Sequence, residues 1–289
     1  MPAMRNKTGE ELAGIGAMAA CAFLWSLAGI FIKLIDWQPF AIAGGRSLVA
    51  AVFLLLWIKK PKFTFSKAQV GAALASAGTM LLFVYANKAT TSANVILLQY
   101  GAPIYVALLA APLLGEKPRA EHWAALVAVL GGILLLFMDG LGGGSLAGNL
   151  AAVGAGVTFA LYVIFMRKQK EGSPLESALL AHVLTAAVAL SISLFLPAPR
   201  IEPRAVAALL GLGILQIGLA SVLFAYGIKR VRAVESVLLG VIEPVLNPVW
   251  VFLATAEAPG PRAILGGGIV IAAVLASSLV SLRRDAARA

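Results

Sequence analysis

Apolar residues in this chain come in continuous blocks rather than alternating with polar ones. Each block holds about 20 residues, and at roughly 1.5 Å per residue a helix of that length crosses a hydrocarbon core of about 30 Å. Ten such blocks are legible: Leu12–Ile32, Pro39–Ile58, Ala68–Ala86, Val95–Leu114, Trp123–Met138, Leu150–Met166, Leu175–Leu196, Ala205–Ile228, Ser236–Ala254 and Ala263–Leu282. The pattern predicts an all-α polytopic membrane protein of ten transmembrane helices. A membrane barrel needs in–out alternation along every strand, which is absent here. Arg5 and Lys7 precede the first block as in a signal peptide, but that block is longer than an apolar signal core, so a retained helix is expected. The connections are short, leaving no room for a catalytic domain in water.

Composition and charge sharpen this picture. The chain is 61% hydrophobic and 12% charged, too little charge to cover a soluble domain of 289 residues. The net charge of +10 would suit nucleic acid if it formed a patch, yet it is sorted by side. With the N-terminus in the cytoplasm, Lys and Arg concentrate in the cytoplasmic connections, for example Lys59, Lys60, Lys117, Arg119, Arg167, Lys168, Lys229, Arg230, Arg283 and Arg284. Only Lys33, Arg46, Lys88, Arg200, Arg204 and Arg262 fall elsewhere. That asymmetry places both termini in the cytoplasm and excludes a nucleic-acid partner. Cys21 is the single cysteine, and His122 and His182 are expected in a loop and in a distant span. A metal or haem site has little to be built from, so no cofactor is expected.

The chain repeats itself. LLFVYANK (Leu81–Lys88) aligns with VLFAYGIK (Val222–Lys229), and the same offset of 141 pairs Pro103 with Pro244, Glu116 with Glu257 and Pro118 with Pro259. An offset of 134 sets Phe31–Lys33 against Phe165–Arg167. Residues 1–140 form a first five-helix repeat, residues 149–289 a second, and the Gly-rich 141–148 reads as a flexible linker without a phosphate-loop lysine. Five is odd, so the second repeat enters the membrane inverted. Such repeats place a substrate site at the midplane between the halves.

The ninth block, ESVLLGVIEPVLNPVW, carries the strongest candidate chemistry. Ser236, Gly240, Glu243, Asn247 and Trp250 share one helical stripe. A carboxylate at that depth must face a protein interior or a wet cavity. Pro244 and Pro248 lack an N–H and free the carbonyls four residues before them, as Pro103 does in the first half, so all three are candidate kinks. Trp25, Thr79, Gln99, Tyr100, Tyr162 and Gln216 add polar or aromatic groups at compatible depth. Each of these also suits a bland role as interhelical glue. Arg46, near the outer end of the second span, is expected to snorkel and pair with Asp36, with substrate-carboxylate binding as the alternative.

Ten spans in two halves, Arg46 early in span two, and Pro103–Glu116–Pro118 echoed by Pro244–Glu257–Pro259 resemble the drug/metabolite transporter superfamily, specifically its EamA-type exporters. The resemblance covers nearly the whole chain. It implies alternating access around a central cavity, in a multi-pass protein of the bacterial inner membrane. Within the group the chain is most similar to exporters of aromatic amino acids. The Trp25-Ser26 element of span one becomes Phe159-Ala160 in the second half, a departure from symmetry. The function expected is export of aromatic or large neutral amino acids, not enzymatic catalysis. Trp25, Tyr100, Tyr162 and Trp250 would enclose the side chain, and Gln99, Gln216, Glu243 and Asn247 would hold the zwitterion. A multidrug or organic-cation exporter, or one for another metabolite such as a nucleoside, is the alternative. Partners are then the small-molecule substrate and the lipid bilayer; a monomer is compatible with this, and proton coupling through Glu243 stays open.

Overall fold

The computed structural model describes residues 2–255 and 260–288, and all regular structure among them is helical. The order is α1 (Pro2–Ser26), α2 (Ala28–Lys33), α3 (Pro39–Ile58), α4 (Lys67–Ala89), α5 (Ser92–Gln99), α6 (Ala102–Leu114) and α7 (Ala120–Phe137). A 3₁₀ turn at Met138–Gly140 leads into α8 (Leu146–Lys168) and α9 (Pro174–Ser193). Next come α10 (Pro203–Gly211), a π-helical stretch Leu212–Leu219 and α11 (Ala220–Ile228). Finally come α12 (Ala233–Gly240), α13 (Ile242–Thr255) and α14 (Pro261–Arg288). The fold is all-α and polytopic. Nine of the expected spans are long and apolar enough to cross a membrane among the described residues. The remaining one, Ser236–Ala254, is occupied by α12 and α13.

Three spans are broken, each for a local reason. The first breaks at Leu27, where the Ser26 hydroxyl donates to the Phe23 carbonyl at 2.6 Å and competes with the backbone ladder. The fourth breaks at Tyr100–Gly101, just before Pro103, and the ninth at Val241, just before Pro244. A proline cannot donate into the turn before it, so the chain steps out of the helix there. The two breaks stand 141 positions apart, as do the starts of α5 and α12 and of α7 and α14. By contrast, α13 runs through Pro248 without interruption; the side chains of Pro248 and Asn247 lie outside the described residues, as do Glu257 and Pro259.

The π-helical stretch in the eighth span had no sequence signal. Its widened turn coincides with close approach of α3. A Cβ at Gly213 would meet Val49 at 2.4 Å, and one at Gly218 would meet Phe53 at 2.6 Å. Small residues let apolar helices touch backbone to side chain where lipid offers no driving force for association.

Helices of the first half pack chiefly on helices of the second. The main contacts are α4 on α8, α7 on α14, α3 on α9 and α1 on α11. The break-flanking helices follow suit, α5 and α6 against α8, and α12 and α13 against α1. One apolar core runs through the middle, including Met18, Leu54, Val106, Leu126, Val163, Phe224 and Leu238.

The glycine-rich connection is held rather than loose. Gly142, Gly143 and Gly144 take positive φ values of 120°, 66° and 81°, which L side chains rarely adopt. Ser145 donates from its N–H and its hydroxyl to the Ala89 carbonyl, at 3.2 and 2.9 Å. Asn94 donates to the Gly143 carbonyl at 3.2 Å, and Thr90 meets Asn149 at 2.8 Å. The expected flexible linker is thus an ordered strap across the α4–α5 junction.

Candidate functional site

The two proline-linked breaks bring the midplane chemistry together. Glu243 is the second residue of α13, directly past the Val241 break, and the Tyr100 phenol at the α5 break is directed at its carboxylate. Glu243 is half-buried and points into the protein. Tyr100 is the natural donor for it, since an ionised carboxylate only accepts. Gly240 and Trp250 of the stripe face the same way. Gly240 looks onto Trp25, whose Cζ3 lies 3.8 Å from where a Cβ would stand. The Trp250 indole N–H donates to the Ser26 hydroxyl at 2.8 Å, and its ring meets Phe23 edge-on at 5.5 Å. A polar helix face at bilayer depth is tolerated because it turns toward α1 and α5 rather than toward lipid.

Beside it lies an aromatic wall. Tyr162 stacks on Phe224 with centroids 5.6 Å apart and an interplanar angle of 17°, and lies 6.3 Å from Phe159. Trp25 packs on Phe224 at 5.6 Å and meets Phe159 edge-on at 6.1 Å. Trp25 and Tyr162 were expected here; Phe159 and Phe224 were not, because a phenylalanine within an apolar span has no distinguishing sequence signal. Trp25 and Phe159 are separated by the 134-residue offset, so the departure from symmetry places both repeat mates in one cluster.

Arg46 is placed differently from the snorkelling expectation. Its guanidinium turns inward, Nη2 meeting the Met80 sulfur of α4 at 3.1 Å, while Asp36 is exposed. His182 of α9 is buried and contacts the Ser221 hydroxyl at 3.1 Å.

Other candidates sit at the margins. Thr79 is buried, its hydroxyl 2.9 Å from that of Thr158 and 2.8 Å from the Ala75 carbonyl, a contact joining α4 to α8. The Gln99 carbonyl, expected to line a cavity, abuts Gly156 of α8, whose Cβ would stand 2.9 Å away. Gln216 is buried in the π-helical stretch, and its Oε1 has no partner among the described residues. Pro103 is buried in the first turn of α6.

A second polar network lies at the end of the bundle that carries the basic connections. Arg167 donates from Nε to Glu116 at 2.6 Å, and from Nη1 to the carbonyls of Ile228 and Lys229 at 2.7 and 2.9 Å. The other Glu116 oxygen accepts from the Ala233 N–H at the start of α12, at 3.0 Å. One ion pair thus joins α8 to the ends of α6, α11 and α12. Nearby, His122 is wholly buried at the start of α7 rather than in a loop. Its Nδ1 accepts from the Arg119 N–H at 3.1 Å, which leaves the ring proton on Nε2, 3.2 Å from Glu235. Glu235 also accepts from Ser281 of α14 and from the Arg232 N–H. Glu116, Arg119 and His122 fall in a polar stretch that, by sequence, reads as an ordinary loop.

The fold is that of a multi-pass helical membrane protein, and its family makes it a transporter. The family model of the EamA-like transporter family matches residues 12–138 and again residues 146–279, and the chain belongs to that family. It is 28% identical over 286 residues to the "uncharacterized transporter YwfM" of Bacillus subtilis (strain 168), covering 93% of this chain and 94% of that one. An "uncharacterized transporter" of Archaeoglobus fulgidus is 24% identical over 263 residues, covering 91% of this chain and 95% of the relative. A solved crystal structure shares the fold with a TM-score of 0.79 at 22% identity, covering 96% of this chain and 98% of that one.

Proposed function

We propose that this transporter exports amino acids, aromatic or large neutral ones preferred, across a bacterial inner membrane by alternating access. The observation that carries the reading is the placement of Glu243 and Tyr100 at two proline-linked helix breaks, beside the wall of Trp25, Phe159, Tyr162 and Phe224. A carboxylate suits an ammonium group, and flat rings suit a planar side chain. The functional parallel this reading draws on is the aromatic amino-acid exporter YddG.

Two inverted five-helix units, residues 1–140 and 149–289, would rock about this site. Reciprocal packing supports the division: α4–α8 mirrors α11–α1, and α5–α8 mirrors α12–α1. The Arg167–Glu116 and His122–Glu235 contacts join the two units at one end, so moving the units apart there would break buried polar pairs.

An organic-cation exporter also uses an acid among aromatics. Arg46 weighs against it, because its positive charge is felt at the same carboxylate. Purified protein in liposomes, offered labelled amino acids, nucleosides and a cationic dye, decides between them. Uptake of tryptophan or phenylalanine is expected. Uptake of the dye alone, uninhibited by either amino acid, would replace this reading with the cation exporter.

A further inference from the structure

Arg46 is poorly satisfied for a guanidinium inside a membrane protein. Its Nε is buried without a hydrogen-bond partner among the described residues, and Nη2 has only the Met80 thioether, a weak acceptor. A desolvated cation in that state is costly unless an anion completes it. Nε and Nη2 lie on one edge of the planar fork, the arrangement that takes both oxygens of a carboxylate. The flexible Met80 side chain occupies part of that edge and can swing aside.

Glu243 does not fill the role. No direct ion pair joins it to Arg46 among the described residues. His182 shares the environment of Arg46 but is no anion, and it is engaged with Ser221. Arg46 and Glu243 thus offer a cation and an anion that no ion pair joins among the described residues.

We propose that Arg46 binds the carboxylate of the transported solute while Glu243 with Tyr100 takes its ammonium, so that the site selects α-amino-acid zwitterions over amines and over acids. The assignment rests on the amino-acid reading above and adds the pole that reading leaves open. It also gives the cost of burying Arg46 a function, which snorkelling would not.

The test uses purified full-length protein, with binding of tritiated L-tryptophan and competition by tryptamine, which lacks the carboxylate, and indole-3-propionate, which lacks the ammonium. Wild type is expected to prefer L-tryptophan to both. Arg46→Gln should weaken L-tryptophan about tenfold or more, the loss expected for a charge-assisted pair, and leave tryptamine unchanged. Arg46→Lys keeps the charge without the fork and should fall between them. Melting temperatures of the variants in detergent separate misfolding from lost binding. An unchanged L-tryptophan affinity in Arg46→Gln, or equal weakening of L-tryptophan and tryptamine in both folded variants, overturns the Arg46 assignment while leaving the transport reading standing. A wild type that binds tryptamine but not L-tryptophan overturns both.

Discussion

Trp25 and Phe159, which occupy matching positions 134 residues apart, meet edge-on with ring centroids 6.1 Å apart. The substitution of Trp by Phe between the halves therefore does not remove an aromatic from the site; it makes the wall asymmetric. A flat substrate would sense one indole and one phenyl face.

Trp25 should accordingly act on selectivity. Trp25→Ala removes contacts to both Phe159 and Phe224. An aromatic pair with the substrate ring is worth about 0.5–1.5 kcal/mol beyond area burial, so losing it should weaken tryptophan transport by up to roughly tenfold in KM. Leucine uptake, which draws less on ring stacking, should fall by less. Initial rates for the two substrates in proteoliposomes measure the ratio; an equal drop in both would assign Trp25 to packing alone.

The Arg167–Glu116 pair should hold stability out of proportion to its size. Both side chains are largely buried, and removing one partner leaves the other charged and unpaired. Losses of about 3 kcal/mol are expected for Arg167→Gln or Glu116→Gln, toward the lower end of the range for buried pairs. The double variant should recover part of that loss, because no lone charge remains. Thermal unfolding in detergent across the four proteins reads the coupling directly.

Adjacent glycines of α7 offer a packing test with an internal control. A Cβ at Gly132 would stand 2.7 Å from Val270 and 2.8 Å from the Gly266 carbonyl, whereas one at Gly131 meets nothing within 4 Å. Gly132→Leu should therefore destabilise or prevent folding by prying α7 from α14. Gly131→Leu should express and melt like wild type, which size-exclusion profiles and melting curves would show.

The all-α membrane fold was legible because apolar block length alone reports it. The breaks at Tyr100–Gly101 and Val241 were legible too, since Pro103 and Pro244 announce lost backbone donors. Pro248 carries the same chemical signal, yet α13 passes through it intact. Glu243, Trp25, Tyr162 and Trp250 could be placed from helical spacing and depth. Arg46 could not, because its inward turn rests on Met80 of α4, which is not near it in sequence. His122 was hidden by its polar neighbours: EKPRAEH reads as a loop until Glu235 and Ser281 are brought to it by α12 and α14. The π-helical stretch depends on glycines meeting Val49 and Phe53, again a tertiary fact.

The central claim is that the α12–α13 break borders a water-accessible substrate site. Gly240 is the position to probe, because a Cβ there meets only Trp25 at 3.8 Å and a cysteine fits. In a Cys21→Ala background, Gly240→Cys in proteoliposomes would be treated with a membrane-impermeant methanethiosulfonate reagent, with and without L-tryptophan. Labelling that the amino acid slows is the predicted result. A Gly240→Cys protein that folds yet stays unlabelled from both sides, or one whose labelling L-tryptophan leaves unchanged, would contradict it.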